Sequence, residues 1–296
     1  MFEEEELVEE KISLIECHCR DCDTKFFTNE NNKFNNCIIC NSIDIEKSNN
    51  SVNKNIKIIP FNKTYRDAVS DYTKKVRFNP IVPLVFKSKK NYSTLQKVYV
   101  PVLITNISRV GDVEFIGGEE GNIANNKLLE TRKYSILQKV KLNYIDVLLK
   151  ITSKIDDDVF NVINKYDYFN MRDIDINYFD DSFYLYEDIS LKEISNKGRT
   201  DIDRHSMKLI KDNVKHSLKK VKNDNTIISF ENSRELLVPV YIMKINYKDK
   251  DYSYMMNGVS GKSYINLPIS PIAIGIFGTI IALFAFLISF LIAYFL

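Results

Sequence analysis

Cys17 to Cys40 reads CHCRDCDTKFFTNENNKFNNCIIC, and this stretch decides how the first part of the chain folds. Cys19-x2-Cys22 is followed by a 14-residue spacer and then by Cys37-x2-Cys40. Each CxxC knuckle turns two thiolates toward one point, and a spacer of this length forms a hairpin that brings the two points together. The spacing therefore predicts a zinc ribbon over 17–47, with Cys19, Cys22, Cys37 and Cys40 as tetrahedral ligands of a Zn2+ ion. Four thiolates close the coordination sphere, so the metal is expected to be structural, supplying on the order of 10–16 kcal/mol to a module too short to bury a core. The residue after each knuckle is usually glycine, because the turn needs a left-handed conformation. Here Asp23 and Asn41 stand in that place, and both types tolerate it. Cys17 is a spare thiol on an expected strand, Leu14 to Cys19, and reads as a packed bystander.

All five cysteines lie inside this stretch, a distribution unlike a disulfide framework spread over a secreted domain. Met1 to Lys11, MFEEEELVEEK, has neither the basic nor the apolar region of a secretory signal. The N-terminal part is thus expected in a reducing compartment, with an acidic segment over 1–16.

At the other end, Ile272 to Leu296 contains 25 residues and no charge. At ~1.5 Å per residue it reaches ~37 Å, enough to cross a ~30 Å hydrocarbon layer with some tilt. Pro268 and Pro271 bound it, and only Thr279, Ser289 and Tyr294 interrupt its apolar surface. The expectation is a single-pass tail anchor over 271–296 in a lipid bilayer. Lys262 before the span places the bulk of the chain on the cytoplasmic side of the cell membrane.

Between these ends, 48–55 reads as a polar linker and 56–267 as a mixed α+β domain. Ile56 to Phe61 suggests a strand. A helix capped by Asn62 or Thr64 follows, with Tyr65, Ala68, Val69, Tyr72 and Val76 at helical spacing. VYVPVLIT (98–105) and LLVPVYIM (236–243) look alike, each a β-branched run with a central proline. Asp112 to Ile116, Tyr134 to Tyr144 and Asp251 to Tyr264 favour strand, with Asn257-Gly258 as a hairpin turn. Asp156 to Asp158 open a short helix. A longer basic helix is expected from a Thr200 cap to Lys222, with Met207, Ile210, Val214, Leu218 and Val221 as its apolar stripe. Its lysine-rich face, Lys215 included, reads as solvated or as a contact for anionic lipid or nucleic acid.

A net charge of +2 over 296 residues gives no bulk attraction for nucleic acid. Around the ribbon, Arg20, Lys25 and Lys33 are offset by Asp21, Asp23 and Glu30, which argues against a nucleic-acid surface there. Gly258 to Ser263 resembles the end of a phosphate-binding loop but lacks the first glycine and a following helix. His18, His205 and His216 are scattered, and Asp180 and Asp181 read as turn residues. No catalytic residue and no enzyme activity are proposed by these motifs.

The CRDC and CIIC knuckles, the IIPF strand, YVPV, the basic helix and the final LVPVYIMKINYKDKDYSYMMNGVSGKSYINLPIS together resemble a family of bacterial and archaeal membrane-anchored proteins with a zinc ribbon of the transcription factor IIB type. The resemblance implies a membrane-anchored adaptor or scaffold, with membrane-associated protein partners such as flotillin-like scaffold or envelope-stress proteins, and brings no catalytic residues. A membrane-tethered nucleic-acid-binding protein is the alternative. Homo-oligomerisation is not legible.

Overall fold

Alternating apolar and polar residues mark β1 (Lys11–Cys19), which is followed by β2 (Thr24–Thr28), β3 (Ile45–Asn53) and the two-residue β4 (Lys57–Ile58). Thr64 then opens α1 (Tyr65–Arg77), its side chain accepting from the Asp67 amide while Asp67 accepts from the Thr64 amide. Next come β5 (Gln96–Gly118), β6 (Lys133–Lys150), α2 (Asp157–Ile163), β7 (Arg172–Asp173) and β8 (Phe183–Leu185). The last third holds α3 (Leu191–Asp212), β9 (Leu218–Asp224), β10 (Ile227–Tyr247), β11 (Lys250–Asn257), β12 (Ser263–Ile265) and α4 (Pro271–Phe295). This computed structural model describes residues 11–53, 56–118, 133–166, 168–214 and 218–295. Most of the acidic segment, and also Lys215, His216 and Leu296, lie outside those residues. The class is α+β, as expected.

Contacts divide the chain into two units. The first comprises Met1–Pro101, Thr152–Tyr186 and Leu237–Leu296. Its strands follow the order β12-β11-β10-β5-β8-β2-β1-β3, with β4 pairing both β10 and β7. β8 joins β5 in parallel and β2 antiparallel. One apolar cluster holds Ile12, Leu14, Phe27, Val52, Ile58 and Tyr184. Another packs Ala68, Tyr72 and Val76 of α1 against Tyr241, Met243, Tyr254 and Met256 of β10 and β11.

The second unit comprises Val102–Ile151 and Glu187–Leu236. β5 and β6 pair antiparallel from Val102↔Lys150 to Gly118↔Lys133, with an irregularity between Thr105 and Ile107. β9 lies on the other side of β5. Val113, Phe115 and Val140 bury Ile210 and Val214, and Met207 and Val221 pack at the margin. Arg109 is among the largest fully buried side chains. Its guanidinium meets Asp203 Oδ1 at 2.8 Å and Asp224 Oδ2 at 2.5 Å, and its Nε donates to Thr226 Oγ1 at 2.8 Å. A buried charge is tolerable only when it is compensated this fully.

The two look-alike segments occupy β5 and β10, and the structure gives their prolines a common role. β5 pairs β8 through Tyr99 and β6 from Val102, so Pro101 sits where the partner changes. β10 accepts the Ile59 amide at the Leu237 carbonyl and begins its ladder with β11 at Val240, so Pro239 again falls at the exchange. A residue with no N–H costs no ladder bond at such a gap.

Several expectations are corrected. The long basic helix begins earlier than Thr200 because Ser190 and Glu193 form a capping box, and Thr200 bonds back within the helix to the Asn196 carbonyl at 2.9 Å. It ends at Asp212, and Leu218–Asp224 is a strand on β5, whose free edge outweighs the helical spacing of Leu218 and Val221. Arg204, Lys208 and Lys211 thus lie on a helix and Lys220 on a strand, so the expected continuous basic face does not exist. Of the expected linker, Ser48 to Asn53 belong to β3, because Val52 opposite Ile12 completes an apolar face. The rest of that linker, positions 54–55, lies outside the described residues.

The expected Asn257-Gly258 turn joins β11 to β12, which pair antiparallel with Met256 opposite Ser263, and a second hairpin precedes it. β10 and β11 are joined by Lys248 and Asp249, both left-handed with φ of 53° and 59°. These angles favour Asn-Gly, and the Asn257-Gly258 pair of the next turn is also tied into the core. Asn257 is fully buried, donating to the carbonyls of Ile163 and Lys165 and accepting from the amides of Val259 and Ser260. The Gly258 carbonyl accepts from the amides of Asn62 and Lys63, and a Cβ there would meet Phe61 Cδ1 at 2.6 Å and Pro239 Cβ at 2.9 Å. Gly258→Ala is expected to cost about 1–3 kcal/mol in denaturant unfolding through overpacking. Replacing Lys248-Asp249 with Asn-Gly is expected to raise stability by about 1 kcal/mol in the same assay.

Candidate metal centre

β1 ends at Cys19 and β2 begins at Thr24, so the first knuckle is the turn between two antiparallel strands in register Cys19↔Thr24. Asp23 closes it with φ 53°, and Asn41 closes the second knuckle with φ 63°. These are the two left-handed positions expected from the spacing. In the second knuckle the Cys37 amide donates to the Ser42 carbonyl at 2.7 Å, the Asn41 amide to the Cys37 carbonyl at 3.0 Å and the Ile39 amide to Cys37 Sγ at 3.4 Å. The Arg20 amide donates to the Asp44 carbonyl at 3.1 Å and ties the two knuckles together.

The four expected sulfurs converge. Cys19, Cys22, Cys37 and Cys40 place their Sγ atoms within 4.8 Å of one another. Cys19–Cys40 and Cys22–Cys37 stand at 3.5 and 3.6 Å. A tetrahedral site with metal–sulfur bonds of ~2.3 Å has sulfur–sulfur edges of ~3.8 Å, so the cluster fits one ion with little adjustment. Cys19 and Cys37 are buried, while Cys22 and Cys40 are half-buried.

Burial sets how these thiols hold their protons. Burial pushes the Cys37 thiol up, and it pushes Cys40 up to about 11. At Cys22 burial opposes ionisation, but hydrogen bonds from Thr24 Oγ1 at 3.1 Å and from the neighbouring thiols outweigh it and bring the group to about 7. Four thiolates at this spacing need a positive ion, which inverts the preference for protonation. Cys17 stands apart. It is fully buried opposite Phe26 and Lys47, outside the sulfur cluster, and burial lifts its thiol to about 11.

The surroundings fix the centre in its sheet. β1 is paired by β2 and β3, and β2 is paired by β8 at Phe26↔Leu185. Phe34 in the spacer packs edge-on against Phe26 and Phe183, with ring centroids 5.7 and 5.2 Å away. Lys154 Nζ donates to the Cys22 carbonyl at 3.1 Å. This last contact had no sequence signal, since the lysine is distant along the chain. Glu46 was also missed, although a strand at 45–53 would have placed it opposite His18.

Charges around the knuckles are mutually neutralised. Arg20 Nε donates to Glu46 Oε1 at 3.0 Å, and His18 Nε2 lies 2.6 Å from Asp23 Oδ1. The His18 hydrogen bond holds the Asp23 carboxyl below the usual carboxylate range.

No protein family matches the chain, and no solved structure does. The chain is 20% identical over 222 residues to a Bacillus subtilis (strain 168) protein described as "Uncharacterized protein YdjG". The match covers 72% of this chain and 64% of that protein, less than two thirds of its length.

The purified protein is expected to carry one metal ion per chain. Cys37→Ser should abolish retention of the ion, whereas Cys17→Ala should keep it, as read by elemental analysis. Loading must displace the protons held by Cys37 and Cys40, so apparent affinity should fall with decreasing pH, by roughly tenfold per unit for each proton displaced. A chelator titration across pH checks the sign.

Proposed function

We propose that this protein is a membrane-anchored adaptor whose metal-bound ribbon and α+β portion present a protein-binding surface on the cytoplasmic face of a cell membrane. The observation that carries the reading is α4. Ala273–Phe295 holds 23 residues, is long and apolar enough to cross a membrane, and its apolar window has no buried residue among those described. Its hydroxyls are satisfied internally, Thr279 Oγ1 on the Gly275 carbonyl at 2.8 Å and Ser289 Oγ on the Ala285 carbonyl at 2.9 Å, so neither needs water. A soluble core helix would hide at least one face.

The metal in this reading is Zn2+, since a tetrahedral all-thiolate site suits zinc and a closed sphere suits a structural role. The partner is a membrane-associated protein, of the flotillin-like or envelope-stress kind implied by the family resemblance. Commitment of Arg20 to Glu46 and of His18 to Asp23 weighs against a phosphate-backbone surface at the ribbon.

Full-length protein is expected to resist alkaline extraction from membranes, and a chain lacking 271–296 to appear in the soluble fraction. Protease added to sealed right-side-out vesicles should spare the N-terminal portion. Recovery of the shortened chain in the membrane pellet, or digestion from outside, overturns the anchor or its orientation respectively.

A further inference from the structure

The segment just before α4 is held to the first unit rather than hanging free. Leu267 packs on the cluster that contains Val82 and Phe86. Ser270 caps α4, its carbonyl accepting from the Ile274 amide at 3.0 Å and its Oγ from the Ala273 amide at 3.2 Å. The Ser270 amide donates to the Ile81 carbonyl at 2.9 Å. The loop after α1 is thus bonded to the residue at which the span begins.

That loop carries bulky apolar side chains in the open. Phe78 and Leu84, three residues before and after Ile81, are each 81% exposed. Val85, on the 3-10 helix Leu84–Lys87, and Ile269, beside Ser270, are exposed as well. A single exposed hydrophobe means little, but four lie within four residues of the Ile81–Ser270 bond at the root of an apolar helix.

The charges along this stretch of chain are of one sign, and among the described residues Lys75 alone is paired, to Asp71 at 4.0 Å. From Tyr72 to Gln96 the chain has six basic residues, Lys74, Lys75, Arg77, Lys87, Lys89 and Lys90, and no acidic one. The Arg77 guanidinium lies over the Phe78 ring at 5.5 Å, an apolar body with a cationic rim. Apolar side chains that dip below headgroup level, ringed by lysine and arginine, are what an anionic lipid surface takes.

We propose that the loop from Phe78 to Lys90 is a lipid-docking face that inserts Phe78 and Leu84 into the headgroup layer of an anionic bilayer beside the entry of α4. The proposal rests on α4 being a membrane span. Docking then fixes the first unit against the bilayer instead of leaving it to swing on a tether.

The chain has no tryptophan, which makes the test direct. Full-length Phe78→Trp and Leu84→Trp, each reconstituted in phosphatidylserine-rich vesicles with shallow-brominated acyl chains, should show blue-shifted emission quenched about twofold. Ile43→Trp, at an equally open ribbon position, should be unaffected. Triple replacement of Lys87, Lys89 and Lys90 by Glu in the Phe78→Trp background, or exchange of phosphatidylserine for phosphatidylcholine, should relieve most of the quenching. Alkaline extraction of the same samples reads the anchor separately. Protein retained in vesicles with an unquenched indole at 78 or 84 overturns the docking face while leaving the anchor. Protein released overturns both. A blue shift without lipid quenching that grows with protein density assigns the face to a second copy and overturns the proposal, as does equal quenching without anionic lipid.

Discussion

Four thiolates cannot be gathered this closely without a compensating cation, and the N-terminal strands are built around that constraint. β1 ends on one ligand, the turn to β2 carries the second, and the loop before β3 carries the other two. The hydrogen bonds that shape both knuckles are few and local. An ion at the centre converts three short strands into a fixed corner on which β8 can dock through Phe26 and Phe27. Asp23 and Asn41 accept left-handed backbone in return, a small cost next to on the order of 10 kcal/mol from a structural metal.

The second unit meets a comparable demand by other means. Arg109 carries its charge into the interior and finds two carboxylates and two hydroxyl groups drawn from α3 and the segment around β9. Breaking one partner of such a set costs more than the set itself stabilises, so its value lies in fixing which residues of α3 face β5. Gly198 serves the same packing, since a Cβ there would press on Leu149 and Phe230 at 3.2–3.3 Å.

Local chemistry was legible in the sequence wherever a few neighbouring residues decide the outcome. The convergence of the four cysteines, both left-handed knuckle positions, the Thr64 cap and the helix after Asp156 are of this kind. Failures came where a distant partner decided. Nothing local distinguishes Leu218–Asp224 as strand from a continued helix, because the edge of β5 that captures it lies far off in sequence. Ser48 to Asn53 looks like a linker until β1 pairs with it. The start of α3 was missed because Thr200 resembles a cap, whereas the helix opens at Ser190 and Glu193 and runs through Gly198. Asn257-Gly258 was legible as the turn between β11 and β12, whereas the buried hydrogen bonds of Asn257 and the close approach at Gly258 depend on distant segments.

The pairing of β2 with β8 has a consequence for biosynthesis. Thr28 and Phe183 are 155 positions apart, so at 5–20 residues per second the ribosome needs roughly 8–30 s to deliver the partner strand. Throughout that interval Phe26 and Phe27 sit on an uncovered β edge, next to reactive thiols awaiting their ion. An ion bound early in that interval would hold the emerging ribbon as a folded corner and shield its thiols from oxidation.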